Sequence, residues 1–368
     1  IWSRLVGSEM CIRDRLYPVR SQFFLMQRDF LMNKERIIIV CPGRGSYSRE
    51  TSNYLSQHGK NITQKIKWMD GERHRTDKAS ITYLDSSQFK SKIHMVGENA
   101  SALIFACSFS DFHQLDDDKY EIVAITGNSM GWYTSLVLSG SLNLATGFHL
   151  IETMGSMMKD EIIGGQLIYP LVDNNWVTDE VVSDKVLTAI KDRGLYISIK
   201  LGGYIVVGGK LKQLKAISEA LPKVDKYPFI IPYHAAFHTP MLDQISKSAL
   251  KLIDTSIFKR PKIPLIDGRG DIWTPFGTDT NRLRDYTLSY QVINTYDFSS
   301  SINVALKEFC PDRIVLLGPG NSLGGVVGQI LVNLKWLGLS SKKEFTSLQS
   351  RDPFVVSLGL LEQRKLLV

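Results

Sequence analysis

The sequence predicts an α/β protein: a parallel sheet covered by helices on both faces, with a small α+β subdomain inserted into it. Three observations carry this expectation. Four short runs rich in Ile and Val, "RIIIVC" from Arg36, "YEIVAIT" from Tyr120, "IPLID" from Ile263 and "RIVLLG" from Arg313, alternate with longer segments of helical period. Strands of a parallel sheet, buried on both faces, read this way. Between Gly164 and about Tyr233 the rhythm changes to "LYISIK", "YIVVGGK" and "YPFIIPY" around a helix near Leu211 to Leu221, the pattern of a small mixed unit. Finally, glycine-containing loops follow three of the strands, and a parallel sheet gathers such loops on one rim.

Taken in chain order, these elements place the core at 32–163 and 236–368 and the insert at 164–235, with a ligand cleft expected between them. Residues 1–31 are set aside as a non-native or disordered leader. Leu5 to Arg15, "LVGSEMCIRDR", reads as a sequencing-library adaptor translated in frame, and Met32, ahead of "NKER" and the first strand, serves as the start, with Met26 as the alternative.

A chain of 368 residues that is 43% hydrophobic has ample length for a sizeable core. Its formal charge of +7 comes from lysines and arginines scattered along the chain. Without clusters interleaved with aromatics, they describe a solvated mixed surface and not a nucleic-acid site. Cys41, Cys107 and Cys310 are isolated in apolar surroundings, without disulfide or metal spacing; no metal is expected. The apolar stretch "SALIFACSF" is too short to span a bilayer and no secretory leader precedes the first strand, so the expected location is the cytoplasm, as a monomer.

The chemistry begins at "IVAITGNSMGWYTSLVLSG", from Ile122 to Gly140. A serine where a strand turns abruptly into a helix needs a strained backbone, and glycines on either side, Gly127 and Gly131, remove the side chains that would clash there. The hydroxyl of Ser129 is thereby presented at the carboxyl edge of the sheet, and the helix beneath it offers N–H groups to an oxyanion. Ser129 is the nucleophile candidate. A serine nucleophile needs a base, and among the histidines the best placed is His238 in "YHAAFHTPML", between an apolar strand and a helix start at Thr239 and Pro240. His234 is its neighbour and competitor; His149 sits on an amphipathic helix and reads as a surface residue. Two further loops, "CPGRGSY" at Cys41 to Tyr47 and "GPGNSLGG" at Gly318 to Gly325, lack the spacing of a phosphate-cradling loop and read equally as substrate approaches or tight turns.

Together, from about Arg36 to about Leu334, these four pieces resemble the malonyl-CoA:acyl carrier protein transacylases, the acyltransferase domains of fatty acid and polyketide synthesis. Pro42-Gly43-Arg44-Gly45-Ser46 is similar to the family's Pro-Gly-Gln-Gly-Ser, Gly127-Asn128-Ser129-Met130-Gly131 to its Gly-His-Ser-Leu-Gly, Phe237-His238-Thr239-Pro240-Met241 to its catalytic-histidine segment, and Gly318-Pro319-Gly320-Asn321 to its Gly-Pro-Gly loop. The resemblance implies a hydrolase-like core with a ferredoxin-like insert and a ping-pong transfer without a bound cofactor. An acyl-CoA donates to Ser129 with His238 as base, and the phosphopantetheine thiol of an acyl carrier protein accepts. It implies an oxyanion hole of the backbone N–H groups of Met130 and Arg44, and a carbonyl near the Gly318, Gly320 and Asn321 loop that orients the histidine.

The departures from the family pattern bear on the acyl group. Asn128 replaces its His and Trp132 its Glu; Met154 stands where the carboxylate-binding arginine is expected, and Ser198 and Lys200 stand where the insert has asparagines. Asn128, Met154 and Lys200 are therefore substrate-binding candidates. A Met suits acetyl or a somewhat longer chain at least as well as malonyl, unless Arg44 or Lys200 supplies a replacement cation. Two other readings stand beside transfer: an α/β-hydrolase-type esterase or thioesterase, whose histidine would sit nearer the chain end, and an inactive carrier-protein-binding relative.

Overall fold

The computed structural model describes residues 34–159 and 162–368; the leader at 1–31, with the choice between Met26 and Met32, lies outside the described residues. Six strands, β1 (Glu35–Cys41), β2 (Tyr120–Gly127), β7 (Leu265–Ile266), β8 (Ile272–Trp273), β10 (Arg313–Leu316) and β11 (Val355–Ser357), form one sheet in the order β11-β10-β1-β2-β7-β8. Every neighbouring pair is parallel except β7 with β8. The four Ile- and Val-rich runs are β1, β2, β7 and β10, and β1 is buried from Ile37 to Cys41 because helices cover both faces.

The apolar stretch that is too short for a membrane span lies in α1 (Gly97–Phe112), buried continuously from Ala100 to Asp111. A helix apolar all round is a core helix. Among the described residues no helix is long and apolar enough to cross a membrane. Against α1 pack α2 (Gly131–Leu138) and α3 (Leu144–Ser156), the two helices that follow the nucleophile turn. Cys41 and Cys107 are buried, and Cys310 is exposed, because it ends a surface helix in a left-handed conformation and does not enter the core.

The second sheet contains β3 (Gly165–Pro170), β4 (Tyr196–Leu201), β5 (Tyr204–Gly209) and β6 (Phe229–Ile230), with α4 (Glu180–Asp192) and α5 (Leu211–Ala220) closing a small apolar core of their own around Leu167, Tyr169, Val186 and Leu214. Its order is β6-β3-β5-β4-β9, where β9 (Tyr296–Asp297) comes from the main chain beyond 235 and runs parallel to β4. A two-residue strand has no period to read, so the sequence does not announce it.

A cleft between insert and core does exist, lined by Leu171, Trp176, Lys200, Asp297 and Asn303, but Ser129 does not open into it. The segment Phe237 to Thr239 lies directly on β5, where a side chain at Gly208 would come within 2.7 Å of the Thr239 methyl. That close packing fills the space next to the serine, and the serine's pocket is walled by core residues instead.

Candidate active site

Ser129 sits at φ 54°, in the left-handed region, between the end of β2 and the start of α2. A Cβ at Gly127 would lie 2.4 Å from the backbone of Gly131, and one at Gly131 would lie 2.2 Å from the Cys41 carbonyl oxygen. Only glycine on both sides allows β1, β2 and α2 to meet so tightly, which is the physical reason for the Gly-x-Ser-x-Gly spacing. Trp132, one residue into the helix, is fully buried, donates its indole N–H to Thr287 at 3.0 Å and packs edge-on against Tyr286. It anchors the helix and does not face the pocket.

The Ser129 hydroxyl lies 2.7 Å from Nε2 of His238. The other ring nitrogen, Nδ1, is 2.5 Å from the backbone carbonyl of Gln291. A carbonyl only accepts, so Nδ1 carries the proton and Nε2 presents its lone pair to the serine. Burial pushes the His238 pKa down to about 4, opposed in part by the Gln291 bond. The imidazole is thus a neutral base at neutral pH. Among the described residues no carboxylate hydrogen-bonds it.

Gln291 is the residue that sequence reasoning missed. It follows a π-helical turn, Tyr286–Tyr290, a geometry that recurs at functional sites, and its side chain reaches Tyr133 and the Ser129 carbonyl as well. The histidine-orienting carbonyl was expected near Gly318, Gly320 and Asn321, and that expectation is wrong. The Gly318 N–H donates to Asp111 at 2.7 Å, its carbonyl accepts from Ser108 at 2.7 Å, and Gly320 packs on Ser46 and Gly359. The loop binds the core beneath the Pro42–Ser46 turn, and Asn321 is exposed.

A cavity of about 60 Å³ opens at Ser129, lined by Met130, Tyr133, Met154, Met157, Met158, Leu242 and Val292, with Arg44 on its wall. That volume admits a few atoms, and four methionines give it an adaptable apolar surface. Arg44 is the cation there. Its Nη2 donates to the carbonyls of Met95 and Tyr233, both at 2.9 Å, and its guanidinium lies 5.2 Å from the centre of the Phe237 ring. Its Nε is buried without a partner, and Arg44 forms no ion pair among the described residues. Desolvation lowers its pKa to about 10, which leaves it charged at neutral pH. Other cations around α3 are matched: Arg73 and Lys78 pair with Glu152, and Lys159 with Glu98.

The remaining candidates divide. Met130 and Met154 line the cavity. Lys200 does not: its ammonium pairs with Asp297 at 3.0 Å on the far cleft, because the bulge between Ile197 and Ile199 separates its direction from that of Ser198. Asn128 is buried behind the turn with its backbone N–H on the Cys41 carbonyl, touching the Gly43 loop and not lining the cavity. His234 holds Gln166 through Nδ1 at 2.7 Å and is likewise kept neutral by burial and by Arg44. His149 is exposed on α3.

The sign of the pH dependence follows from the lowered His238 pKa. The base is lost only when Nε2 is protonated, so single-turnover acylation of Ser129 should hold from pH 8 to about 5 and fall to half near pH 4, where an unburied histidine would lose half near 6.5. A midpoint at or above 6 would show that burial does not depress the His238 pKa in the folded chain. The same depressed pKa contributes stability that is complete above pH 6.5 and lost as the pH falls towards 4, because the unfolded chain takes up that proton first. Unfolding is therefore monitored alongside the rate.

No family model matches the chain. Among curated proteins it is 23% identical to the polyketide biosynthesis protein PksE of Bacillus subtilis (strain 168), over 89% of this chain and 40% of that protein. It is 21% identical to the malonyl CoA-acyl carrier protein transacylase of Salmonella typhimurium, over 57% of this chain and 66% of that protein. The chain thus spans less than two thirds of the length of these relatives. Among solved structures it superposes on the malonyl-CoA:ACP transacylase of Synechocystis sp. PCC 6803 with a TM-score of 0.69 at 17% identity, covering 90% of this chain and 100% of that one. The fold is that of the malonyl-CoA:acyl carrier protein transacylases. A malonyl-transacylase solved in complex with its type II PKS acyl-carrier protein has the same fold at a TM-score of 0.64 and 15% identity, covering 81% of this chain and 93% of that one. The transacylase fold thus holds Ser129 and His238 at the rim where its loops converge.

Proposed function

We propose that the chain is an acyl-CoA:acyl carrier protein S-acyltransferase that works through an acyl-serine. The observation that carries this reading is the 2.7 Å contact between the Ser129 hydroxyl and an imidazole whose tautomer is set by the Gln291 carbonyl, at the mouth of a small cavity. His238 takes the hydroxyl proton as Ser129 Oγ attacks the thioester carbon. The oxyanion is held by the backbone N–H groups of Met130 and Arg44, the C–S bond breaks, and the proton passes to the departing coenzyme A sulfur. In the second half the phosphopantetheine thiol gives its proton to His238, sulfur attacks the acyl carbon, the bond to Oγ breaks and the proton returns to Ser129. The similarity to proteins named malonyl CoA-acyl carrier protein transacylase, and to one solved with its carrier protein, supports a carrier-protein acceptor. No bound cofactor enters these steps, and the protein acts as a cytoplasmic monomer.

Arg44 extends the reading to the acyl group. A charged guanidinium in an apolar cavity, with Nε unpartnered, is arranged to receive an anionic acyl terminus, so malonyl is favoured over acetyl. Incubation with malonyl-CoA and then a holo acyl carrier protein, followed by intact-protein mass spectrometry, tests the function. The chain should gain one malonyl mass and pass it to the carrier. Rapid hydrolysis of acyl-CoA or p-nitrophenyl esters with no transfer to thiol would favour the hydrolase reading, and no acylation at all the inactive one.

A further inference from the structure

We propose that strand β4 of the insert is the mount of the catalytic histidine, with Ser198 and Gln166 as positioning residues. The inference rests on the Ser129–His238 pair being reactive and on nothing about the acyl group. Ile197 of β4 pairs with Val207 and Ile199 with Val206, which leaves Ser198 as the extra residue of a β-bulge. A bulge re-aims one side chain out of the strand's alternation. Here it turns Ser198, 0% exposed, towards the segment that carries His238.

The Ser198 hydroxyl donates to the Phe237 carbonyl at 2.8 Å and accepts from the Gln166 side-chain amide at 2.6 Å. The Gln166 side-chain oxygen in turn takes the Nδ1 proton of His234 at 2.7 Å. The Phe237 carbonyl belongs to the peptide that leads into His238, whose φ of 56° is unfavourable for a side-chain-bearing residue and needs the surroundings to hold it. On the other side of the ring, the chain that supplies the Gln291 carbonyl continues into β9, where Tyr296 pairs with Ile199, and the Thr295 hydroxyl donates to the Ile197 carbonyl at 2.6 Å. Three consecutive residues, Ile197, Ser198 and Ile199, therefore fix both the backbone of His238 and the carbonyl that sets its tautomer. For stability alone an apolar contact would serve, since a matched pair of buried polar groups can be replaced by apolar ones at little cost. What the relay adds is a fixed orientation of Nε2 towards Ser129.

The test uses a fluorophosphonate, whose phosphorus bonds to the serine oxygen as fluoride leaves with the serine proton; its rate reads nucleophile activation without any acyl pocket. Ser198→Ala should label at least about tenfold more slowly than the wild type and lose a comparable factor in kcat for acyl loading, with KM unchanged within about twofold, because a misplaced base slows the chemical step and not binding. Ser198→Thr keeps the hydroxyl and should recover most of the rate. Should Ser198→Ala not fold, Gln166→Met, which removes the amide that orients the Ser198 hydroxyl, is read the same way. Labelling of Ser198→Ala or Gln166→Met at the wild-type rate, or no recovery with Ser198→Thr, overturns the proposal. A wild type that labels with the probe but never takes an acyl group from a CoA thioester overturns acyl transfer and leaves the positioning role to be read from the same variants.

Discussion

Ser129→Ala is expected to abolish the acyl-enzyme outright: no added mass on the intact protein at any time of incubation with malonyl-CoA, since the oxygen that forms the bond is gone. His238→Ala keeps that oxygen but removes its proton acceptor, and its acylation rate should fall by about 10²–10⁴-fold, the usual contribution of a positioned general base. The separation between these outcomes is diagnostic. If His238 only capped a helix, its loss would lower stability and leave the rate of the folded fraction unchanged. His234→Ala provides the control: its ring sits one step further out, on Gln166, so its effect on the rate should be several-fold at most. Rapid-quench measurement of the acylated fraction, with unfolding curves on each variant, checks the set. Acyl mass accumulating on Ser129→Ala at the normal rate, or His234 proving the costlier loss, would overturn the assignment.

How much of this was legible in the sequence depends on how local each signal is. The elbow was readable because its requirement is local: two glycines and a serine at a strand–helix junction, which the contacts of Gly127 with Gly131 and of Gly131 with Cys41 explain atom by atom. His238 was readable for a similar reason, as a histidine placed where a strand gives way to a helix start. Gln291 was not, because it acts through its backbone carbonyl, and a carbonyl belongs to every residue; only the fold decides which one faces Nδ1. The Gly-Pro-Gly loop misled for the complementary reason. Its glycines mark close backbone packing, and the partners are Asp111, Ser108 and Gly359, not the histidine. Lys200 shows the limit of an alignment that ignores strand parity: Ser198 and Lys200 are two residues apart on β4, but the bulge at Ser198 separates their directions, so one faces the histidine segment and the other Asp297.

With Arg44 as the proposed anchor of the acyl terminus, the expected result is a malonyl preference of at least tenfold over acetyl in initial rates of Ser129 acylation. From the sequence alone Met154 argued the other way, since a methionine in place of an arginine leaves a carboxylate without its partner. The cavity contains Met154 as expected, and it also contains Arg44, approaching from the loop after β1 with two of its hydrogen bonds fixed by Met95 and Tyr233. Those two bonds hold the guanidinium in place on the cavity wall, where no carboxylate among the described residues pairs with its charge. A charge-assisted hydrogen bond in such surroundings contributes about 1.5–3 kcal/mol, which is roughly ten- to a hundredfold in rate. Arg44→Met should therefore lower malonyl loading by about ten- to a hundredfold while acetyl loading changes by a few-fold, because the oxyanion role assigned to this residue uses its backbone N–H, which the substitution keeps. The acetyl arm separates the two functions of the loop. Equal loss of both substrates would mean that the side chain shapes the turn and does not read the acyl terminus, and equal wild-type rates for the two thioesters would remove Arg44 as a carboxylate anchor altogether.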